Sequence, residues 1–242
     1  MAERGPNLSG RDVEDVHLSN ARVRRIDMVN SHVTGAFLLN ARIDGDFEGL
    51  VMNGVEVAPL IRAELKKRHP ILAKNNATSA EALRECLEEV YAIWDGLEAR
   101  AAAIDETALH ERVDDEWSFV ETMRHLVYAT DVWFRHGILD LADACHSLAL
   151  PHSEDRDDPR VDASADPSYA EVLAVRRQNQ AQLREFLAPL DDGDVARTCS
   201  PTHPGHPGGT FTVGQAIWVV NNEEFWHSTY AERDLSARAG LS

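Results

Sequence analysis

From Thr78 onward, apolar residues recur every three or four positions, which is the period of an amphipathic α-helix. Four long stretches follow this period, and each opens on a capping-box pattern, a Ser or Thr followed three residues later by Glu or Gln. The four pairs are Thr78 and Glu81, Ser118 and Glu121, Ser168 and Glu171, and Thr212 and Gln215. The pattern predicts helices over about residues 79–103, 119–139, 169–190 and 213–235. Because each helix can bury its apolar stripe only against the others, we expect a four-helix bundle within residues 78–242.

Residues 7–45 follow a different rhythm, with an apolar residue at every fifth position. These positions are Leu8, Val13, Leu18, Val23, Met28, Val33, Leu38 and Ile43. Neither a helix nor a strand has a period of five. The rhythm resembles that of the pentapeptide-repeat family, whose chain winds into a right-handed, four-sided β-helix. The resemblance implies a short β-helix over residues 1–55, joined by a connector over residues 56–77 to the bundle, and hence an α+β multidomain fold.

The net charge narrows the choice of partners. At pH 7 the chain carries a formal charge of -17, which would repel a nucleic-acid backbone or an anionic membrane surface. We therefore expect a small-molecule substrate, no nucleic acid and no membrane, and we leave a homodimer open.

The remaining composition predicts a cytoplasmic protein. No apolar run is long enough to span a bilayer, and the start of the sequence is no signal peptide. Three cysteines, Cys86, Cys145 and Cys199, form no CxxC pair, which argues against a disulfide framework or an all-cysteine zinc site.

The strongest chemical pattern is the pair Glu223 and His227. Residues four apart lie on one face of a helix, so both side chains point toward one place. His125 lies about two turns into the second predicted helix. If these two helices are neighbours, a carboxylate and two imidazoles converge and leave coordination positions open, as in catalytic metal sites. A chance Glu-x3-His pair and a hydrogen-bonded core histidine are the alternative interpretation.

Two segments extend this interpretation. The first runs from Glu116 to Leu126 and contains Trp117-Ser118 and His125, and the second runs from Asn222 to His227. They are similar to the DinB-like superfamily of four-helix metalloproteins, which includes mycothiol-dependent maleylpyruvate isomerases and bacillithiol or mycothiol S-transferases. The resemblance implies that His125, Glu223 and His227 bind a divalent metal, with a mycothiol-type thiol as cosubstrate. It gives Trp117 only a packing role. Imidazole ligands suit zinc first, with nickel or iron as alternatives.

Further residues are candidates for roles beside this metal. Glu224, His203 or His206 could act as a base, and Tyr230 is close enough in helical spacing to reach the rim of the pocket. A second group could bind an anionic thiol or line the pocket, namely Arg124, Arg233 and Trp226. The two histidines could also supply a further metal ligand or bind substrate, and Arg233 could pair with Asp234 near the metal. Core packing for Trp226, surface charge for Arg233 and solvated loop positions for the two histidines remain alternatives.

These residues predict a metal-dependent thiol S-transferase or isomerase that acts on a small electrophile. Metal-assisted hydrolysis, with hydroxide in place of thiolate, is the second hypothesis. A non-catalytic, metal-stabilised binding or stress-response protein is the third.

Overall fold

The computed structural model describes residues 5–23, 26–45, 47–152, 161–162, 164–199 and 210–239. The chain divides into two compact units, Met1–Asp46 and Phe47–Ser242.

The first unit is a succession of turns. Backbone amides close turns at ten-residue intervals, as in the bonds from Arg11 to the Leu8 carbonyl and from Ala21 to the Leu18 carbonyl, both 3.1 Å long. Each turn has a residue with positive φ at the same place, where glycine or asparagine is tolerated best. These residues are Gly10, Asn20, Asn30 and Asn40, with φ between 56° and 70°.

The predicted β-helix is wrong. Residues 5–23 and 26–45 contain turns but no strand, and the eight apolar side chains of the five-residue rhythm are between 41% and 70% exposed. The rhythm therefore specifies evenly spaced turns without a buried interior. A solenoid coil buries its apolar face only against neighbouring coils, and this segment has residues for only about two. Because the β-helix is absent from the described residues, the predicted α+β multidomain fold is wrong as well.

The second unit begins with a small hairpin. Strand β1, Val51–Met52, pairs antiparallel with strand β2, Val55–Glu56. Asn53 and Gly54 connect the two strands with φ of 50° and 81°, and Asn-Gly is the sequence that best accepts positive φ at both turn positions. In the part of the chain that the structure describes, this hairpin is the only sheet.

The rest of the second unit is helical. Its helices are α1 Ala58–Arg68, α2 Pro70–Lys74, α3 Ala80–Ala101, α4 Glu106–His110, α5 Phe119–Thr130, α6 Tyr169–Leu187, α7 Asp192–Val195 and α8 Val213–Ala239. The second predicted helix does not remain α-helical over its full length, because a π-helical turn, Asp131–His136, follows α5. None of the helices in the described ranges is long and apolar enough to cross a membrane.

Three of the four predicted capping boxes are present. Ser118 and Glu121 exchange side-chain and backbone hydrogen bonds at the start of α5, and Ser168 and Glu171 do the same at α6. Thr212 and Gln215 make the equivalent pair of bonds at α8. The fourth prediction is wrong by one residue, since Ser79 caps α3 by accepting a bond from the amide of Ala82.

Helices α3, α5, α6 and α8 pack together around a common core. Helix α8 lies against both α3 and α5, and α5 also lies against α6. Trp94 of α3, Met123 of α5 and Phe225 of α8 belong to one buried cluster. This packing makes α5 and α8 neighbours, and the site depends on that adjacency.

Candidate metal centre

Three side chains meet where α5 lies against α8. His125 comes from α5, and Glu223 and His227 come from successive turns of α8. The Nε2 atom of His125 is 3.4 Å from Oε2 of Glu223, and Nε2 of His227 is 3.3 Å from the same oxygen. Their potential ligand atoms all lie within 4.8 Å of one another. Three donors from distant parts of the sequence are thus directed at one point.

A backbone carbonyl orients the imidazole of His125. Its Nδ1 atom lies 3.2 Å from the carbonyl oxygen of Leu150. A carbonyl can only accept, so Nδ1 carries the proton and donates it, which leaves the lone pair of Nε2 directed at Glu223 when the ring is neutral. Histidine ligands of metals are commonly held in this way by a second partner on the other nitrogen.

The electrostatics of the site suit a cation. Burial alone would raise the pKa of Glu223, but the adjacent imidazoles of His125 and His227 hold this pKa well below its usual range. Burial lowers the pKa of His227 below its ordinary value, and its hydrogen bond with Glu223 opposes this only in part. At neutral pH the centre therefore offers a carboxylate together with an imidazole that favours its neutral form.

Two nitrogen donors and one oxygen donor fit a divalent metal. This donor set suits zinc, nickel or iron, and one carboxylate offsets only half of the charge of a divalent ion. The side chain of Glu223 is 35% exposed, so the centre opens toward solvent on that side. A three-ligand site of this kind keeps coordination positions for water or substrate.

Aromatic rings surround the three donors. The ring centroid of Trp117 is 4.7 Å from that of His125 and 6.1 Å from that of His227, stacked on the latter. The ring of Tyr230 meets His227 edge to face at 5.6 Å, so it lies beside one of the three donors. Trp117 is therefore part of the site, although the sequence indicated only packing. Its position in the sequence, just before the helix that carries His125, could have indicated that it lies near the metal donors.

A further histidine, His152, was missed altogether. Its ring centroid lies 6.2 Å from that of His125 and 6.3 Å from that of Trp117. It sits in the long connection between α5 and α6, where hydrophobic periodicity carries no information about position.

Glu224 does not stand beside the metal donors as a free base. Its carboxylate accepts hydrogen bonds from both terminal nitrogens of Arg176, and it is 1% exposed. A carboxylate that is engaged in a buried ion pair is not available to accept a proton from a substrate.

Arg124 is likewise occupied by the protein itself. Its guanidinium donates to the backbone carbonyls of Leu148, Asp162 and Ala165, at 2.8, 3.1 and 2.5 Å. Since the side chain is 5% exposed, the structure gives it a role in holding the connection between α5 and α6. That it binds an anionic thiol stays a prediction.

Trp226 and Arg233 both have partners within the protein. The ring of Trp226 packs beside the buried cluster and lies 5.0 Å from that of Phe225, which is a core position. Arg233 donates from Nε and Nη2 to Asp234 at 2.8 and 2.6 Å, and its guanidinium carbon lies 5.9 Å from the centre of the Tyr230 ring.

The two predicted loop histidines, His203 and His206, lie outside the described residues.

The comparisons with known proteins agree with this architecture. A family model described as the DinB superfamily matches residues 89–231, a range that includes His125, Glu223 and His227. No curated protein and no solved structure gave a significant match. Because the family match covers more than half of the sequence, the chain belongs to the DinB superfamily.

Proposed function

We propose that this protein is a divalent-metal-dependent enzyme, a thiol S-transferase or isomerase that acts on a small electrophile with a mycothiol-type thiol. The observation that carries the proposal is the convergence of His125, Glu223 and His227 on one point, with the carboxylate partly open to solvent. Protein ligands that leave coordination positions open are typical of catalytic metals, whereas structural sites are closed.

The contacts around the three donors indicate what the metal, His125 and Trp117 would each do in this reaction. A divalent cation bound here would lower the pKa of a coordinated thiol and so supply a thiolate nucleophile near neutral pH. His125, held by the Leu150 carbonyl, presents Nε2 in a fixed direction. Trp117 packs against both imidazoles and limits their rotation. These contacts favour a rigid donor set that exchanges its other ligands without rearranging.

The electrophile would bind on the open side of the centre. Tyr230 is 45% exposed and lies beside His227, so its hydroxyl is a candidate to hold an oxygen of the substrate. Arg233, beside the ring of Tyr230, remains the candidate for an anionic group of the thiol.

Elemental analysis of the purified protein and a thiol-consumption assay with mycothiol and model electrophiles test this proposal. We expect bound metal and metal-dependent loss of thiol, both abolished in the His125→Ala and His227→Ala variants. Metal-dependent hydrolysis without thiol consumption would support the hydrolase instead. A fully loaded protein with neither activity would exclude an enzyme of either kind and favour a binding protein.

A further inference from the structure

The chain after the π-helical turn is fastened to the helix that carries His125. The Nε atom of Arg124 donates to the Leu148 carbonyl at 2.8 Å, and the Leu150 amide donates to the Arg124 carbonyl at 3.1 Å. The imidazole of His125 donates to the Leu150 carbonyl. Three hydrogen bonds thus hold this stretch against two successive residues of α5, and His152 follows it closely in sequence.

His152 lies at the exposed edge of the metal centre. Its ring centroid is 6.2 Å from that of His125, whereas the centroid of His227 is 4.8 Å from the same ring. The ring of His152 also meets Trp117 edge to face. A third imidazole therefore stands just beyond the three converging donors.

We propose that His152 is an exchangeable fourth ligand of the metal centre, an inference that rests on the proposed function. With a divalent cation held by His125, Glu223 and His227, its imidazole would complete the donor set while no substrate is present and would give way to the thiol. The exchange would replace one metal–nitrogen bond by one metal–sulfur bond, and the proton of the thiol would pass to solvent. His152 itself belongs to the connection and not to a helix.

The difference in burial explains why this ligand would exchange and the others would stay. His125 is 6% exposed and is held by a hydrogen bond on its second nitrogen. The side chain of His227 is 14% exposed on α8. His152 is exposed, so its ring can rotate toward the other donors or away into water without opening the core.

Cobalt(II) is the probe for the test, because its visible absorption is much stronger in four- or five-coordinate sites than in six-coordinate sites rich in water. The full-length protein, stripped of metal with a chelator, is titrated with Co²⁺ as wild type, His152→Ala and His152→Phe. The phenylalanine variant keeps a ring against Trp117 but has no nitrogen donor. His136→Ala is the matched control, because the Nδ1 atom of His136 contacts the Leu141 carbonyl and its ring has no part in the site.

We expect both His152 variants to bind Co²⁺ about tenfold more weakly and to show weaker visible bands, while His136→Ala matches the wild type. Unchanged affinity and unchanged bands in both His152 variants would overturn this inference alone. A wild-type protein that binds no divalent metal would overturn the proposed function as well.

Discussion

The guanidinium of Arg176 donates two hydrogen bonds to the carboxylate of Glu224, at 2.9 and 2.7 Å, in the interior of the bundle. Each of the two residues is 1% exposed. Glu223 directly precedes Glu224 in α8, and neighbouring residues of an α-helix point about 100° apart. The pair between α6 and α8 therefore favours the rotation of α8 that turns Glu223 and His227 toward α5.

Removal of Arg176 should be costly. The variant Arg176→Met leaves Glu224 buried without its partner, and we expect the free energy of unfolding to fall by about 3–5 kcal/mol. Urea denaturation followed by circular dichroism measures the change. In the double variant Arg176→Met/Glu224→Leu no buried charge remains unpaired, so most of the loss should be recovered. A single variant as stable as wild type would show that the pair contributes little.

The three donors should act as one metal-binding unit. We expect His125→Ala, His227→Ala and Glu223→Gln each to weaken binding of a divalent metal more than about a hundredfold, because loss of an outer-sphere partner alone costs about 10–100-fold. Competition with a chromogenic chelator measures the affinity, with His136→Ala as control. If one of the three variants kept wild-type affinity, its residue would not be a ligand.

Metal binding should be visible in the fluorescence of Trp117. Its ring lies 4.7 Å from that of His125, so a paramagnetic ion such as Co²⁺ at this site should quench it strongly. The quenching should fall clearly in Trp117→Phe and persist in Trp218→Phe, which changes a tryptophan that is 39% exposed. Equal quenching in both variants would place the ion elsewhere.

The capping box of α5 should make stability depend on pH. Burial raises the pKa of Glu121, but hydrogen bonds from Arg112 and from the Ser118 backbone outweigh burial and lower it below 4.5. The stability that this carboxylate contributes is therefore present above pH 4.5 and is lost as the pH falls through the lowered pKa. Glu121→Gln keeps the capping pattern but removes the charge.

Denaturation curves from neutral to acidic pH, recorded for wild type and Glu121→Gln, measure this dependence. The wild type should be the more stable protein at neutral pH, and the difference should shrink in acid. A difference that stays constant with pH would mean that the charge of Glu121 does not contribute.

Arg124 should prove to be a structural residue. The variant Arg124→Ala removes hydrogen bonds to three backbone carbonyls, and we expect a loss of about 3 kcal/mol in the free energy of unfolding. Hydrogen exchange of amides near Leu148 and Leu150 should become faster, because their connection to α5 is weakened. A variant with normal stability and a raised KM for thiol would instead support the role in substrate binding.

Local features of the chain could be predicted from the sequence because they depend on residues close together along it. The helical period and the Ser–Glu pairs at residues 118–121 and 168–171 predicted where α5 and α6 begin, since a cap is made within one turn. The spacing of Glu223 and His227 placed both on one face of α8 for the same reason. The five-residue rhythm of the first unit has the same local character: it marks turns but cannot supply the neighbouring coils that a β-helix requires.

Tertiary structure alone decided what each helix faces. Spacing sets the angle between Glu223 and Glu224, but only packing directs one to the imidazoles of His125 and His227 and the other to Arg176. Only packing places Trp117 and His152 beside the donors, because both lie outside the helices and hydrophobic periodicity gives no information about position there. Contacts between residues far apart in sequence depend on which helices are neighbours and on how each is rotated, and these are set by the burial of the whole core and not by any local pattern.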